Sequence, residues 1–288
     1  LATFNSGMAH EGLAERDIAL ERYRVVKTDF ATQPIAKNAL IRMTRLLGYL
    51  ERWDALETVA GELLKRTDLS AIDRIEGWGA TALSHVERGQ LDQTTLAIGK
   101  AGTIIAKAGL GQVTKPPFQL AQVSFAEGEL RRLKSEKLKL VVTDKDGKLT
   151  PVPQFAAVLE ARCQGLLDAQ SAYTEAMRSR DAHWSSMSGY RVGQLYQQLH
   201  REAVAIPTPK AAKTQKQKDL FRAAMRLRYR ILLEKGLRMM NATVAIGTRS
   251  GLSTYWIARA HEAKRHLEES LRDEKAALKR LAYTEEEV

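Results

Sequence analysis

An internal repeat constrains this chain more than any other feature. The segment GLAERDIALERY at 12–23 returns 36 positions later as GYLERWDALETV, with six of the twelve aligned positions identical. A chain that repeats itself at such a period folds as stacked copies of one unit, because a single copy cannot bury its own apolar face. Neither copy contains a residue arrangement typical of catalysis, so we interpret the repeat as a packing pattern.

Each copy predicts a pair of helices. Small residues such as Gly7 and Ala19 would let the two helices of a pair approach closely, while Tyr23 and its aligned counterpart Val59 would fill the space between pairs. The predicted helix pairs lie at about 2–12 with 15–28, 35–48 with 52–65 and, in a weaker third copy, 71–86 with 91–107.

This pattern resembles the tetratricopeptide repeat, in a variant of about 36 residues that is common in bacterial envelope proteins. The resemblance covers residues 1–107, which it implies to be the C-terminal part of a repeat array. In such repeats the first helices line an inner groove, which we expect to bind a peptide or a helix of a partner protein. The alternative is that these residues cover neighbouring repeats. The register places in this groove Met8, Glu11, Lys37, Thr44 and Leu47.

The second predicted domain, 108–288, continues and caps the stack. The segment LKLVVTDKDGKLTPV predicts a small β-hairpin at about 140–152, because two strand-like runs flank a turn that contains glycine. Asp144 and Asp146 lack the further acidic positions of a calcium loop. Long helices follow, and the last one has a charged face opposite its apolar stripe, as a cap requires. The predicted fold class is therefore all-α: a tetratricopeptide-like helical-hairpin solenoid with a long-helix C-terminal cap and one β-hairpin insertion.

The later half carries a second resemblance. Trp184, the segment GYRVGQLY at 189–196, the prolines of PTP at 207–209, and a turn at Gly251 before Trp256 occur in order. Over about 118–270 this resembles a group of envelope tetratricopeptide proteins of myxobacteria and their relatives, which includes the periplasmic component of a gliding-motility apparatus. The chain departs from the pattern of the group at Ser253-Thr254 and in a Lys-rich helix entry.

That resemblance implies a non-enzymatic scaffold subunit of a multi-subunit bacterial envelope assembly, such as a gliding-motility, secretion or outer-membrane machine. The partners would be other protein subunits. It also implies a periplasmic location, with the protein held at the outer membrane as a lipoprotein through a segment upstream of residue 1. No stretch of the sequence approaches the roughly 20 apolar residues that span a bilayer.

The net charge of +11 favours anionic partners, and one segment concentrates it. Between 210 and 230, eight basic residues stand against Asp219 alone, and three arginines recur every fourth residue along one helix face. This segment is interpreted as a solvated surface, or as a contact for an acidic protein or anionic lipid head groups. It lacks interleaved aromatic residues, which disfavours nucleic acid. The candidate contact residues are Lys210, Lys213, Lys216, Lys218, Arg222, Arg226 and Arg230.

Motifs for chemistry are missing from the sequence. His261 and His266 are five residues apart on one helix, where a zinc-binding helix pair is spaced by four. Cys163 is the only cysteine, and no glycine-rich phosphate loop follows a predicted strand. We therefore expect no enzyme, metal site or cofactor. The alternative function is a cytoplasmic adaptor that binds an anionic polymer or nucleic acid through residues 210–230.

Overall fold

Helices and short turns alternate along the chain. The computed structural model describes residues 1–113, 115–251 and 255–280. Each of the first five helices packs on the next one, and α3 also packs on α5. These helices form three consecutive pairs: α1 (Ala2–Gly12) with α2 (Arg16–Asp29), α3 (Pro34–Tyr49) with α4 (Trp53–Leu64), and α5 (Ala71–Glu87) with α6 (Leu91–Lys107).

The rest of the described chain is also helical, apart from one hairpin. The predicted all-α class is confirmed, and so is the hairpin, in which Val142 lies opposite Thr150. Two 3-10 turns, Leu110–Gln112 and Phe118–Leu120, follow α6. The remaining helices and strands are, in chain order, α7 (Ala121–Glu136), β1 (Val141–Thr143), β2 (Leu149–Pro151), α8 (Phe155–Arg178), α9 (Ala182–Val204), α10 (Gln215–Ser250) and α11 (Tyr255–Arg280).

One backbone turn recurs between the two helices of each pair. A residue in the left-handed region ends the first helix, with φ of 62° at Ala14, 56° at Glu51 and 74° at Gly89. The next N–H then donates to a carbonyl five residues earlier, which satisfies a helix-end carbonyl. These bonds run from Glu15 to His10, from Arg52 to Leu47 and from Gln90 to His85, at 2.9, 3.0 and 2.9 Å.

The turns correct the predicted repeat register. The left-handed residues are 37 positions apart between Ala14 and Glu51 and 38 apart between Glu51 and Gly89, whereas the sequence alignment uses 36. With the spacing of 37, Tyr23 corresponds to Ala60 rather than to Val59. Burial follows the structural spacing: Ala19, Tyr23 and Val26 of α2 take the places of Leu56, Ala60 and Leu63 of α4, all at most 1% exposed.

Small residues let the helices of a pair approach, as the sequence pattern predicts. A Cβ atom added at Gly7 would lie 2.6 Å from the Tyr23 ring, so this aromatic side chain occupies the space that glycine leaves on α1. Phe4 packs against the same ring, with the two centroids 5.4 Å apart. The two rings and the glycine thus form the contact between α1 and α2.

Ion pairs join each helix pair to the next one. Among the first helices, Glu11 of α1 accepts a bond from Arg42 of α3 at 2.9 Å, and Arg45 of α3 binds Glu76 of α5. Among the second helices, Lys27 of α2 lies 2.7 Å from Glu62 of α4. The charges therefore cross-link neighbouring pairs, in addition to the apolar contacts.

Glycines also set the close approach of α9 to α10. A Cβ atom at Gly189 would lie 2.2 Å from the Thr243 hydroxyl oxygen, and one at Gly193 would lie 2.5 Å from the Met240 methyl group. A Cβ at Gly236 of α10 would meet the Gly193 carbonyl oxygen at 3.2 Å. The spacing of four residues in GYRVG therefore provides a smooth helix face for packing.

The chain divides into two compact units. The first contains Leu1–Leu130 and Arg178–Trp184, and the second contains Arg131–Met177 and the chain from Ser185 onward. The predicted domains, 1–107 and 108–288, are divided where the repeats are expected to end. That boundary stays a prediction.

The left-handed turn residues lead to a stability prediction. Replacing Ala14 with glycine should raise the free energy of unfolding by about 1 kcal/mol, because a Cβ atom disfavours positive φ. The reciprocal change Gly89→Ala should lower it by a similar amount, since a Cβ there has open space and only the backbone conformation opposes it. Urea denaturation of both variants measures these changes. An unfolding free energy that falls in Ala14→Gly would contradict the turn geometry.

Candidate protein-binding surfaces

Three of the predicted groove residues lie at least partly at the surface. Met8 is 38% exposed on α1. Glu11 accepts hydrogen bonds from the Tyr23 hydroxyl at 2.8 Å and from Arg42 at 2.9 Å. Lys37 lies 3.5 Å from the Asp73 carboxylate. The charges of Glu11 and Lys37 are thus already used between helix pairs, which leaves Met8 as the residue open to a partner.

The prediction is wrong for Thr44 and Leu47. Thr44 is fully buried and Leu47 is 3% exposed. The Thr44 hydroxyl donates to the Ile41 carbonyl oxygen at 2.8 Å within its own helix. Because α3 packs on α2, α4 and α5, most of its circumference is covered, and these two side chains belong to the core.

The chain itself covers the first-helix face of α3 and α5. A Cβ atom at Gly48 of α3 would lie 3.2 Å from the Gln122 amide nitrogen and 3.7 Å from the Trp184 ring. At Gly79 of α5 it would lie 2.9 Å from a Val123 methyl group and 3.2 Å from the Val123 backbone nitrogen. The segment around 118–125 therefore occupies the place where the sequence predicts a partner peptide.

A buried polar cluster accompanies this covering segment. Arg45 donates to Glu76 at 2.8 Å and stacks over the Phe118 ring at 4.5 Å. Burial raises the pKa of the Glu76 carboxyl, and the Arg45 guanidinium opposes that rise. Burial and the nearby Asp181 carboxylate raise the pKa of Tyr49, whose hydroxyl donates to Asp181 at 3.2 Å. The cluster is held by paired charges rather than open to a substrate.

His183 lies in the same covered region. Its ring stacks on Tyr49 with centroids 4.0 Å apart and meets Trp184 edge-on at 5.2 Å. Burial, together with a smaller contribution from the Arg16 charge, lowers the pKa of His183 to about 3. The imidazole is therefore neutral at physiological pH and acts as an aromatic packing group.

A distinct surface remains on α1. Its exposed stripe contains no charged side chain, although 27% of the residues of the chain are charged. This stripe, hereafter the α1 face, consists of Ala2, Asn5, Met8, Ala9 and Gly12. Exposed Leu13, Ile18 and Val25 follow in the turn and on α2. Uncharged, partly apolar surface at one place marks a candidate contact for another protein.

The predicted basic residues fall into two groups. Lys210, Lys213 and Lys216 are exposed, around the loop that leads into α10, and Lys218 is half-buried. The predicted arginine face is instead neutralised, because each arginine lies beside a carboxylate. The pairs are Arg222 with Asp219 at 3.2 Å, Arg226 with Glu274 at 3.0 Å and Arg230 with Glu234 at 3.2 Å.

Glu274 is a residue that the sequence reading missed. It is 5% exposed on α11, and its carboxylate lies 3.0 Å from Arg226 of α10 and 3.5 Å from His200 of α9. Burial lowers the pKa of His200, while the Glu274 charge opposes that effect. This network joins three helices, so Arg226 holds the second unit together rather than presenting a charge to a partner.

The motif residues of GYRVGQLY meet the start of α11. The Tyr190 and Trp256 ring centroids are 5.5 Å apart, and the Arg259 guanidinium lies 4.8 Å from each ring. Arg191 lies 5.6 Å from the Trp256 ring. The motif therefore builds an aromatic and cationic packing cluster between α9 and α11.

Comparisons with known proteins add little to this geometry. No family model matches the chain, and no curated protein matches it. Among solved structures, it is similar to a "circular tandem repeat protein with novel repeat topology and enhanced subunit contact surfaces", at 12% identity and a TM-score of 0.22. The match covers 98% of this chain, which spans 65% of that protein.

The described residues also limit other kinds of site. Across 1–113, 115–251 and 255–280, no group of three or more His, Cys, Asp or Glu side chains is arranged to hold a metal ion. In the same residues, no helix combines the length and the hydropathy that a membrane crossing requires.

The covering segment can be tested with two glycine substitutions. Gly79→Ala should lower the free energy of unfolding by about 1–3 kcal/mol, because the new methyl group would collide with Val123. Gly99→Ala on the exposed side of α6 should raise it by about 0.5–1 kcal/mol, since nothing lies within 4 Å and alanine favours the helix. Thermal and urea unfolding measure both. Equal stabilisation by the two changes would mean that Val123 does not pack on Gly79.

The buried His183 predicts a stability that depends on pH. The unfolded chain binds a proton at this residue below its ordinary pKa of 6.5, whereas the folded chain does so only near 3. The free energy of unfolding should therefore fall as the pH drops through this window, by roughly 1.4 kcal/mol per pH unit.

Denaturation at pH 7 and pH 5 measures the effect of His183. His183→Phe should reduce the loss of stability between these values by about 2 kcal/mol, since it removes the titrating group and keeps the ring. His261→Phe supplies a control that makes the same substitution at an exposed position. An unaltered pH dependence in His183→Phe would show that His183 is protonated in the folded state.

Proposed function

We propose that this chain is a non-enzymatic scaffold that binds a helix of a partner protein through the α1 face. The observation that carries the proposal is that this exposed stripe has no charge and consists mostly of small or apolar residues. A helix without charges on its exposed side is suited to packing against another helix, because no charge has to be desolvated.

The repeat itself indicates what packs on this face. At the structural spacing of 37, Ala2 and Ala9 of α1 correspond to Ala39 and Leu46 of α3, which are at most 1% exposed. α3 is covered by the preceding pair, through α2. The α1 face therefore corresponds to the face of α3 that a helix covers. Its partner would present an amphipathic helix.

The finer assignment rests on the sequence resemblances. The helix pairs support a tetratricopeptide-type repeat, and the GYRVGQLY motif with Trp184 and Trp256 supports the envelope group. We propose accordingly that the scaffold belongs to a multi-subunit bacterial envelope assembly in the periplasm, with gliding motility, secretion or outer-membrane assembly as the process. Attachment to the outer membrane as a lipoprotein is part of this proposal. Separation of periplasmic, membrane and cytoplasmic fractions tests the location.

A second contact is proposed at the exposed lysines around the start of α10. Lys210, Lys213 and Lys216 are exposed, and they precede the arginines that carboxylates neutralise. The contact would therefore be a short cluster of lysines rather than an extended basic helix face. Its partner would be an acidic protein surface or anionic lipid head groups. In the alternative function, a cytoplasmic adaptor for an anionic polymer or nucleic acid, binding would weaken by orders of magnitude between about 50 and 200 mM salt.

A charge placed on the α1 face tests the proposed function. The purified chain is used to recover partners from an envelope extract, and the recovered subunits are quantified by mass spectrometry. Ala9→Glu should reduce the recovery of a specific partner at least about tenfold, because an unpaired charge buried in an interface costs several kcal/mol. Ala106→Glu makes the same change on the exposed side of α6 and should leave recovery unaltered.

Two measurements make this experiment decisive. Circular dichroism must show the same helix content and thermal midpoint for Ala9→Glu and the unmodified chain, as expected for an exposed position. Partners recovered equally by the two variants would rule out the α1 face as the contact. Recovery only of cytoplasmic proteins would rule out the envelope assignment while leaving the contact face intact.

A further inference from the structure

A cleft of about 560 Å³ opens in the second unit, separate from both proposed protein contacts. One wall is the segment that leads into the hairpin, and the other is the C-terminal end of α9. Leu138, Leu140, Val141 and Ala205 form its apolar lining, with Lys139 and Arg201 beside them. This volume lies in the range of sites for small organic ligands, about 300–1,000 Å³.

Local structure keeps the cleft wall in place. Leu140 is 4% exposed, and its carbonyl oxygen accepts a bond from the Val152 N–H at 3.2 Å. The hairpin turn is closed by Asp144, whose carboxylate accepts the backbone N–H groups of Asp146 and Lys148 at 3.0 and 2.9 Å. The segment next to the cleft is therefore anchored at both ends rather than free to fill it.

The acidic group in the lining is already paired. Glu202 accepts bonds from Arg162 at 3.2 Å and from Gln198 at 2.9 Å. Arg162 is 1% exposed and also donates to the Ser135 hydroxyl at 2.8 Å. The Glu202 charge is thus compensated by Arg162, which is too buried to contact a ligand in the cleft.

The cations in the lining are not compensated in the same way. Lys139 and Arg201 are exposed, and neither forms an ion pair with any residue in the part of the chain that the structure describes. An apolar cleft therefore carries two positive charges for which the described residues supply no counter-ion. The charge pattern is complementary to a ligand with one apolar tail and one anionic group.

We propose that this cleft binds an anionic amphiphile with a single acyl chain, of the medium-chain carboxylate class. The acyl chain packs against Leu138, Leu140, Val141 and Ala205, and the carboxylate pairs with Lys139 and Arg201. This assignment does not depend on the protein-binding function, since the α1 face and the lysines around the start of α10 contribute no residue to the cleft.

Titration calorimetry of the full chain with decanoate tests the proposal. Saturable binding of one decanoate per chain is expected, and the double variant Lys139→Gln/Arg201→Gln should weaken it at least about tenfold through loss of the charged pairs. Ala205→Glu, which places a negative charge on the cleft wall, should weaken it by a similar factor. Lys137→Gln removes an exposed cation outside the cleft lining and should leave the affinity unchanged.

Chemical controls separate the two parts of the ligand. Decanol has the same chain without the charge, and acetate has the charge without the chain, so both should bind at least about tenfold more weakly than decanoate. Decanol that binds as tightly as decanoate would overturn the role of the two cations. Decanoate affinity that survives both the double variant and Ala205→Glu, or no saturable binding at all, would overturn the site.

Discussion

The first unit depends on the fact that a pair of helices cannot cover its own apolar sides. Within the first pair, the contact is made by Gly7, which receives the Tyr23 ring. The contact between pairs adds ion pairs such as Glu11 with Arg42 to the apolar packing. Because each helix is stabilised by the next one, glycines and ion pairs recur at the contacts between helices, although not at equivalent repeat positions. Such a pattern is consistent with a protein-interaction scaffold, and an uncovered face is therefore where the proposed contact lies.

The covering segment decides which faces stay uncovered. Gly48 and Gly79 leave room on α3 and α5, and Gln122, Val123 and Trp184 fill it. A groove that would accept a peptide in an open stack is therefore occupied by the chain. This occupation buries polar groups, including Glu76 and His183, whose pKa values shift away from their ordinary range through burial. The α1 face differs because none of the described residues of the first unit buries it.

The sequence predicted the helix pairs and the hairpin, because these features depend on local residues. It did not predict the spacing of the turns, since Ala14 and Glu51 adopt the left-handed conformation without the glycine that marks Gly89. It also misplaced Thr44 and Leu47, because their burial depends on contacts with helices distant along the chain. A helical wheel shows which residues share a face, but not which other segment lies on it.

The ion pairs of the α10 arginines were likewise not predicted from the sequence. Arg222 and Arg230 meet carboxylates one turn away along their own helix, while Arg226 meets Glu274 from α11. The nearly buried Glu274 would be costly without its cationic neighbours, so the pairing stabilises the helix contact rather than a partner. A net charge of +11 therefore says little about where an anion binds. What matters is where cations without a counter-ion lie beside apolar surface, as Lys139 and Arg201 do in the cleft.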